Sequence, residues 1–333
     1  MKIILAFLLT ILPLAAQISY EGKSGPGKGK HIVFVASDHE YRAEETCPAL
    51  ARILAQHHGF KTTVLFGVNK KGEITAGASD IKGLEALEKA DLMVIFTRFL
   101  DLPDDQMKHI VAYLDRGGPV VGLRTSSHAF KIPKGKTYSK YSFRSNDPNY
   151  KSGFGHQVLG NTWVGHYGKN HKQGTRIQII PEQKKHPILL GVKDNAFCHA
   201  GGYNGVAREG FTVLTNSQPL VSMKPDADPD PKKKPVPSTW TRHYTAKDGT
   251  KARVFHSTQG ASEDILDDSY RRMLVNGIYW AAGLETQIKA DSNITFVGKY
   301  QPLTFSFNGH AKGVKPSDIA DINSPILPKK IEK

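Results

Sequence analysis

Four short runs of apolar residues in the first part of the chain have the length and continuity of buried β-strands. The clearest of them reads HIVFVAS, and polar residues stand on either side of its apolar stretch. A strand that is apolar at successive positions is buried on both faces, as in a parallel sheet covered by helices. The pattern predicts strands over residues 31–37, 61–66, 91–97 and 119–124.

Helical patterns separate these strands. Residues 48–58 carry apolar side chains at helical spacing, and Gly59 follows as a residue that ends helices. A short helix is predicted over residues 81–89, and another begins at Pro103, where the missing N–H is least costly, and ends at Gly117. This alternation of strands and helices predicts an α/β fold with a parallel sheet and helices on both of its faces.

Polar residues directly follow three of the predicted strands. In open α/β sheets, ligands bind beyond the carboxyl ends of the strands, which all lie at one edge. The candidate site of this chain is therefore expected where residues 37–40, 97–99 and 124–128 meet.

The pattern changes after His128. Residues 131–175 are rich in Gly, Lys, Asn, Tyr and His, and so long a segment without regular structure is usually functional or partly disordered. A helix is predicted over residues 267–282, and the chain after residue 285 shows one weak strand pair and a basic tail. Strands are predicted over residues 176–180, 211–215, 220–223, 239–244 and 252–257.

The N-terminus has the pattern of a secretory signal peptide. Lys2 precedes an apolar run over residues 3–14, and the small residues Ala15 and Ala16 follow. The run is too short to span a bilayer, and no later run is long enough. We expect residues 1–16 to be removed and the mature protein to be periplasmic or secreted, without a membrane span. A buried N-terminal strand is the alternative interpretation.

The charge balance narrows the range of partners. The 333 residues include 45 Lys and Arg against 31 Asp and Glu, which gives a formal net charge of +14. The basic residues are spread out and accompany no nucleic-acid-binding motif, so no nucleic-acid partner is expected. A solvated basic surface is the favoured interpretation, and contact with an anionic glycan or the cell envelope is the alternative.

Cysteine and histidine spacing gives no clear metal site. Cys47 and Cys198 belong to no CxxC or zinc pattern, and both a disulfide and two buried thiols remain open. Five histidines are loosely spaced, without HExxH or an i, i+4 pair, so a bound metal is a minor alternative and no cofactor is predicted. These are His156, His166, His171, His199 and His256.

Charged residues at the strand ends are the strongest candidates for chemistry. Asp38, His39 and Glu40 stand on one turn, where carboxylates and an imidazole can exchange protons with a substrate. Helix capping is the structural alternative for this turn. Arg98 and Arg124 follow two other strands and are suited to hold a carboxylate, phosphate or polyol through forked hydrogen bonds. Salt bridges to nearby aspartates are the structural alternative for both.

The turn after the fourth predicted strand offers hydroxyl groups and an imidazole. A serine nucleophile is disfavoured because the GxSxG elbow is absent and no acid is assignable to the histidine. His128 is therefore a candidate general base, while Thr125 and Ser126 are candidate ligand contacts. Trp163 and Tyr203 are suited to stack on a sugar ring, although loop packing explains them equally well. The other predicted substrate-binding residues are His166 and His256.

Five stretches of the chain share their order and spacing with one protein family. They begin VFVASDHEYRAEE, IFTRFLDLPDD, GHQVLGNTWVGHYGKNH, KKHPILLGV and TRHY, the last continuing to ARVFHSTQGASEDILDD. Together they resemble the ThuA-like (trehalose utilisation) family of the class I glutamine-amidotransferase-like superfamily. The resemblance covers residues 31–285 and leaves residues 286–333 as a C-terminal extension. It implies a flavodoxin-like three-layer sandwich with a mostly parallel sheet, and a role in sugar pathways that include 3-keto-glycosides.

Two departures from relatives limit the chemistry. Amidotransferases of this superfamily carry a cysteine nucleophile in the turn that corresponds to residues 123–128, and this chain has none there. Many ThuA-like proteins have a histidine after the glycine that corresponds to Gly260, where this chain has Ala261. The protein is therefore not expected to be a glutamine amidotransferase.

The residues, together with what the family resemblance implies, predict an exported protein of carbohydrate metabolism that acts on (3-keto-)glycosides by acid–base chemistry. The expected partner is a small-molecule or oligosaccharide substrate. Two alternatives remain open, a non-catalytic carbohydrate-binding envelope protein and a metal-dependent hydrolase. The predicted catalytic residues are His128, Asp38, His39 and Glu40.

Overall fold

The computed structural model describes residues 16–206 and 208–326, so all but the last residue of the predicted signal peptide lie outside the described part. The α-helices of the described part are α1 (Ala43–His58), α2 (Asp104–Asp115) and α3 (Asp268–Ala281). The strands are β1 (Gln17–Glu21), β2 (His31–Ser37), β3 (Lys61–Phe66), β4 (Leu92–Thr97), β5 (Val120–Leu123), β6 (His166–Tyr167), β7 (Thr175–Ile179), β8 (Ala196–Cys198), β9 (Gly202–Tyr203), β10 (Thr212–Pro219), β11 (Val236–Thr245) and β12 (Lys251–Ser257).

Ten of the described strands form one sheet in the order β1-β3-β2-β4-β5-β12-β11-β10-β7-β8. The five strands from β3 to β12 run parallel to one another. The strands beyond both ends of this centre pair antiparallel. The predicted α/β sandwich of the flavodoxin-like type, with a parallel centre, is confirmed. Consequently the carboxyl ends of β2, β4, β5 and β12 lie at one edge.

Helices cover both faces of the sheet because successive side chains of a strand point in opposite directions. In β2, Phe34 belongs to the core on the side of α1 and α3, whereas Val35 belongs to the core on the side of α2. The inward stripe of α2 includes Met107 and Ile110, which are fully buried. Both faces are therefore closed by packed helices, and the site has to open at an edge.

Three predicted elements differ in detail. Helix α1 begins at Ala43, so Pro48 lies inside the helix, where it removes a single backbone hydrogen bond. The predicted helix over residues 81–89 is a 3-10 segment over Leu84–Lys89. The predicted strand over residues 220–223 is wrong, because β10 is one longer strand that includes polar residues paired on both sides and ends just before it.

Arg52 of α1 binds both the first strand and the C-terminal extension. Its side chain is 0 % exposed. Its Nε donates to the Tyr20 hydroxyl at 2.9 Å, and its Nη2 donates to the Ile319 carbonyl at 2.7 Å and to the Ser324 hydroxyl at 2.9 Å. A buried guanidinium needs such oxygen partners to offset its desolvation. The extension is thereby packed onto the α/β unit.

Two observations bear on the cysteine and membrane predictions. Cys47 and Cys198 are both buried and unpaired with each other, and burial raises the pKa of both thiols well above the usual value. Buried thiols of this kind are poor nucleophiles. Within the described residues, no helix combines the length and apolarity needed to cross a membrane.

Candidate active site

Asp38 shapes the turn that follows β2. Its Oδ1 accepts a hydrogen bond from the Glu40 amide at 2.7 Å and another from the Tyr41 amide. This is the local bonding for which Asp is favoured at turns and caps. Asp38 therefore fixes the backbone at Glu40 and Tyr41. The residue is 1 % exposed, and its carboxylate is directed into the turn.

Glu40 lies at the centre of the polar contacts. Its side chain is 0 % exposed, and its Oε2 accepts from Arg98 Nη1 at 2.8 Å. Its Oε1 accepts from Asn170 Nδ2 at 2.8 Å and from His171 Nε2 at 3.2 Å. Arg98 therefore pairs with a glutamate, whereas the nearby Asp101 binds Lys136. One buried carboxylate thus links the ends of β2 and β4 to the long segment after β5.

Arg124 lies beneath this pair as a second cation. It is fully buried at a left-handed backbone position with φ 42°. Its Cζ is 3.6 Å from the centre of the Tyr41 ring and 4.8 Å from that of Tyr203. Its Nη1 donates to the carbonyls of Gly201 at 2.7 Å and Thr258 at 3.1 Å. Aromatic faces and carbonyls stabilise the charge, so Arg124 fixes the floor of the site.

His128 belongs to a cluster of rings. Its ring centre is 4.9 Å from that of Phe99 and 5.2 Å from that of Trp163. Only 2 % of the residue is exposed. Burial first, and then the charges of Arg98 and Arg124, lower the pKa of His128 well below its usual value. The imidazole is therefore neutral at ordinary pH. This aromatic cluster consists of Phe99, His128, Phe143, Trp163, His166 and Tyr203.

His166 joins the aromatic cluster to the polar contacts. Its Nε2 is 3.1 Å from the Tyr41 hydroxyl, which accepts a hydrogen bond from Asn170 at 3.0 Å. The Tyr41 proton is therefore available to His166. Burial, with a contribution from Arg124, lowers the pKa of His166 to about 4. The short β6–β9 pair sets His166 opposite Tyr203.

His39 stands at the rim of the site. Its residue is partly exposed, and its ring packs so closely on Gly77 that a Cβ there would lie 2.4 Å from it. Burial of the ring lowers the pKa of His39. Its carbonyl accepts a hydrogen bond from Asn308 at 2.9 Å, so the extension reaches this rim.

Three predicted ligand contacts lie deeper in the fold. The Ser126 hydroxyl donates to the carbonyls of Ile95 at 2.5 Å and Leu123 at 2.8 Å, which leaves it no proton for a ligand. Thr125 is 0 % exposed. His256 is equally buried, with its Nδ1 2.8 Å from the Gly122 carbonyl. These three side chains are buried in and next to β5 and β12, whereas the other predicted site residues lie near Glu40 or in the aromatic cluster.

The long segment after β5 supplies site residues that the sequence did not assign. Asn170 and His171 bind Glu40, and Phe143 lies 5.9 Å from His128 between ring centres. Tyr41 was likewise missed, although its position directly after the Asp38–Glu40 turn is a signal that could have found it. Only the tertiary fold brings residues 143–171 to the carboxyl edge of the sheet.

Two of the histidines considered as metal ligands have polar partners of another kind. His171 binds Glu40, and the ring of His156 is 3.0 Å from an Arg208 nitrogen, a cation that opposes metal binding. Across residues 16–206 and 208–326, no three or more His, Cys, Asp or Glu side chains are grouped as a metal site.

One family model matches most of the chain. The family model described as ThuA, trehalose utilisation, matches residues 32–281. A solved ThuA-like protein from Parabacteroides merdae ATCC 43184 is 15% identical with a TM-score of 0.45, covering 84% of this chain and 98% of that one. One from Bacteroides uniformis ATCC 8492 is 13% identical with a TM-score of 0.47, covering 79% and 95%. Among curated proteins, none matches.

Proposed function

The chain belongs to the ThuA (trehalose utilisation) family, and on this premise we propose that it acts on a glycoside by acid–base chemistry. A 3-keto-glycoside is the substrate that suits the site best. The observation that carries the proposal is the single buried carboxylate of Glu40, which holds an imidazole and a guanidinium side by side. The predicted signal peptide makes the proposed enzyme an exported one, at work in the periplasm or outside the cell.

His171 is the proposed general base. Its side chain is 42% exposed, whereas the carboxylate of Glu40 behind it is 0% exposed. The Nε2–H donates to Glu40, so the lone pair of Nδ1 is left for a substrate proton. A base whose ring is oriented by a buried carboxylate is a recurrent device in enzymes, and the carboxylate also stabilises the imidazolium that forms. Glu40 is thus a positioning residue for His171.

Arg98 is the proposed electrophilic group. Its guanidinium shares the Glu40 carboxylate with His171, so a base and a cation lie next to each other at the site. Only 8 % of the residue is exposed, because the Glu40 carboxylate and the rings of Phe99 and Phe307 contact it. A preorganised cation of this kind stabilises the negative oxygen that develops when a proton leaves the carbon beside a carbonyl.

Tyr41 and His166 form the proposed proton-donating pair. Burial raises the pKa of Tyr41 to about 12, with Arg124 opposing the rise. The hydroxyl is 3.1 Å from His166 Nε2, and His166 is partly exposed. A neutral His166 can therefore pass a proton outward from its other nitrogen while it receives the Tyr41 proton. Arg124 then stabilises the tyrosinate that forms above it.

The proposed reaction follows from the acidity of a C–H bond beside a ketone. His171 removes the C2 proton of a 3-keto-glycoside, and the electron pair moves onto the C3 oxygen, which Arg98 stabilises. The C3 carbonyl then re-forms, the electrons at C2 make a C1–C2 double bond, and the bond from C1 to the leaving oxygen breaks. His166 protonates that oxygen. Water next adds its hydroxyl at C1, C2 recovers the proton from His171, and the remaining water proton restores the Tyr41–His166 pair. The net change is hydrolysis.

The aromatic cluster supports a second function, carbohydrate binding without turnover. Trp163 and Phe143 are partly exposed members of the cluster and offer ring faces to a sugar. A binding protein needs such faces but does not need the Glu40–His171 pair. The Glu40–His171 contact therefore favours an enzyme, whereas the aromatic cluster taken by itself favours a carbohydrate-binding protein.

The deciding experiment is NMR of the purified mature protein with 3-keto-trehalose and, separately, with trehalose. We expect turnover of the keto sugar only. His171→Asn and Glu40→Gln should each lower turnover by about 100-fold or more, the range of a lost general base. His243→Asn, which removes an exposed histidine on β11, is the matched control and should leave turnover unchanged.

Each other outcome points elsewhere. Ligand-induced line broadening without turnover would overturn the proposed enzymatic function and support carbohydrate binding without turnover. Turnover that survives His171→Asn would remove the assigned base. Turnover that is abolished by a chelator and restored by a metal ion would favour the metal-dependent hydrolase instead.

A further inference from the structure

The C-terminal extension carries a short segment across the candidate site, which we call the strap (residues 303–308). The Ser306 amide donates to the Glu40 carbonyl at 3.0 Å, and the Asn308 amide donates to the His39 carbonyl at 2.9 Å. At its other end, the Leu303 amide donates to Glu45 Oε2 at 2.9 Å. Backbone hydrogen bonds to His39 and Glu40, in the turn after β2, therefore fix the strap against the site.

The two phenylalanines of the strap have opposite environments. Phe305 is 1 % exposed, and its ring centre lies 4.5 Å from that of His171 and 5.3 Å from that of Tyr41. Phe307, two residues later, is 59 % exposed. Phe305 therefore packs behind the proposed base, whereas Phe307 presents its ring to solvent.

Phe307 extends the row of rings from the aromatic cluster. The Arg98 Cζ is 4.9 Å from the centre of the Phe307 ring and 5.3 Å from that of Phe99. Arg98 is therefore flanked by one ring from the strand end and one from the strap. Phe99 continues to Phe143 at 5.4 Å between ring centres. The row runs from inside the site to its outer surface.

Exposure of so large an apolar ring calls for an explanation. Among the exposed large apolar side chains of residues 16–206 and 208–326, Phe307 is the one aromatic. The others are Val164, Leu190, Val206, Val221 and Leu266. An exposed ring held beside a cation at the mouth of a site suits a ligand that has both an apolar face and hydroxyl groups, as a pyranose does.

We propose that Phe307 is a specificity-determining residue that stacks on the second ring of a disaccharide whose first ring lies against Arg98. The inference rests on the proposed function for the identity of the first-ring site, and it adds the substrate class, a glycoside with a sugar leaving group. Residues 303–308 lie beyond the family match at 32–281, so the extension supplies this selectivity.

Calorimetric titration of the full mature protein with trehalose and with methyl α-glucoside tests the inference. Neither probe has the acidic C–H bond of a keto sugar, so binding is measured without turnover. Phe307→Ala should weaken trehalose binding by about 3- to 10-fold, the value of a lost stacking contact, and leave methyl α-glucoside binding unchanged. Phe307→Trp should restore trehalose binding. Leu266→Ala, which shortens another exposed apolar side chain, is the matched control.

Three results would overturn the inference. Unchanged trehalose binding by Phe307→Ala, or an equal loss for both sugars, would remove Phe307 from a second-ring site. A wild-type protein that binds neither sugar would overturn the inference, while turnover of 3-keto-trehalose would decide the proposed function separately. By contrast, selective loss of trehalose binding with no turnover of 3-keto-trehalose would support the second-ring site while the proposed enzyme fails.

Discussion

Glu40 and Arg98 lie beyond the ends of two neighbouring parallel strands and form an ion pair, with 2.8 Å between Glu40 Oε2 and Arg98 Nη1. The Glu40 side chain is fully buried. Arg98 follows β4 directly, and Glu40 stands three positions after the end of β2, so the sheet and one short turn set their separation. The pair also holds the proposed base, because the second carboxylate oxygen binds His171. Stability and chemistry therefore depend on the same contact.

Arg98→Met should destabilise the protein by about 3 kcal/mol, because it leaves a buried carboxylate without its cation. Urea denaturation measures this change. Lys30→Met is the control, since the Lys30–Asp91 pair is 39% and 32% exposed and is expected to contribute less than about 1 kcal/mol. Equal effects of the two substitutions would contradict the assignment.

The buried His256 should make folding sensitive to acid. Burial lowers the pKa of His256 to about 3, whereas an unfolded histidine titrates near its usual value. Below pH 6.5, His256 is therefore protonated in the unfolded chain but stays neutral in the native protein. The free energy of unfolding consequently falls as the pH falls towards 3. From pH 7 to pH 5 this site should remove about 2 kcal/mol from the free energy of unfolding.

His256→Asn isolates this contribution. The amide keeps a donor for the Gly122 carbonyl but does not titrate in this range. The variant loses ring contacts with Trp240, so it should be less stable at pH 7, yet its stability should fall less steeply with acid. Parallel pH profiles of the two proteins in urea denaturation would show that His256 does not titrate as described.

Gly77→Ala should displace His39. The position has φ 66°, and a Cβ there would lie 2.4 Å from the imidazole. Gly29→Ala is the control, because Gly29 also has a left-handed φ, 85°, but no atom lies within 4 Å of its Cβ position. Both variants should lose about 1 kcal/mol from backbone strain, and only Gly77→Ala should shift the His39 NMR signals.

Contact with an anionic glycan remains a proposal that the basic surface supports. Lys134, Lys140 and Arg144 line a groove of about 460 Å³ beside Phe143 of the aromatic cluster. Retention on an immobilised acidic polysaccharide should fall with added salt and fall further in a Lys140→Gln/Arg144→Gln variant. A Lys247→Gln/Lys289→Gln variant removes the same charge from exposed positions elsewhere. Equal losses in both variants, or retention that is independent of salt, would exclude the groove.

Sequence pattern predicted the centre of the fold because local forces determine it. The run over residues 31–37 is apolar throughout, and a strand of that kind has to lie inside a sheet. The same reasoning predicted the neighbouring strands β3 and β4. It also predicted the edge of the sheet at which Glu40 and Arg98 meet. What failed was local detail, such as the start of α1 ahead of Pro48.

The rest of the site depends on contacts between residues far apart in the chain. His171 is 131 positions from Glu40, and no periodicity connects them. Ser126 and His256 were of the right residue types, but both are buried, and neighbouring backbone carbonyls bind the Ser126 hydroxyl and His256 Nδ1. Residue type and strand position therefore identify candidates, while only the fold shows which of them share a cleft.

The strap also has a consequence for the order of assembly during synthesis. Residues 303–308 come after α1, α2, α3 and the strands β1 to β12 in chain order, and translation delivers the N-terminal part first. The nascent sheet, its helices and the Glu40–Arg98 pair can therefore form before Phe305 reaches His171 or Phe307 reaches Arg98. The outer wall of the cleft is then the last part to be added, and a chain truncated ahead of residue 303 would present the proposed base to solvent on that side.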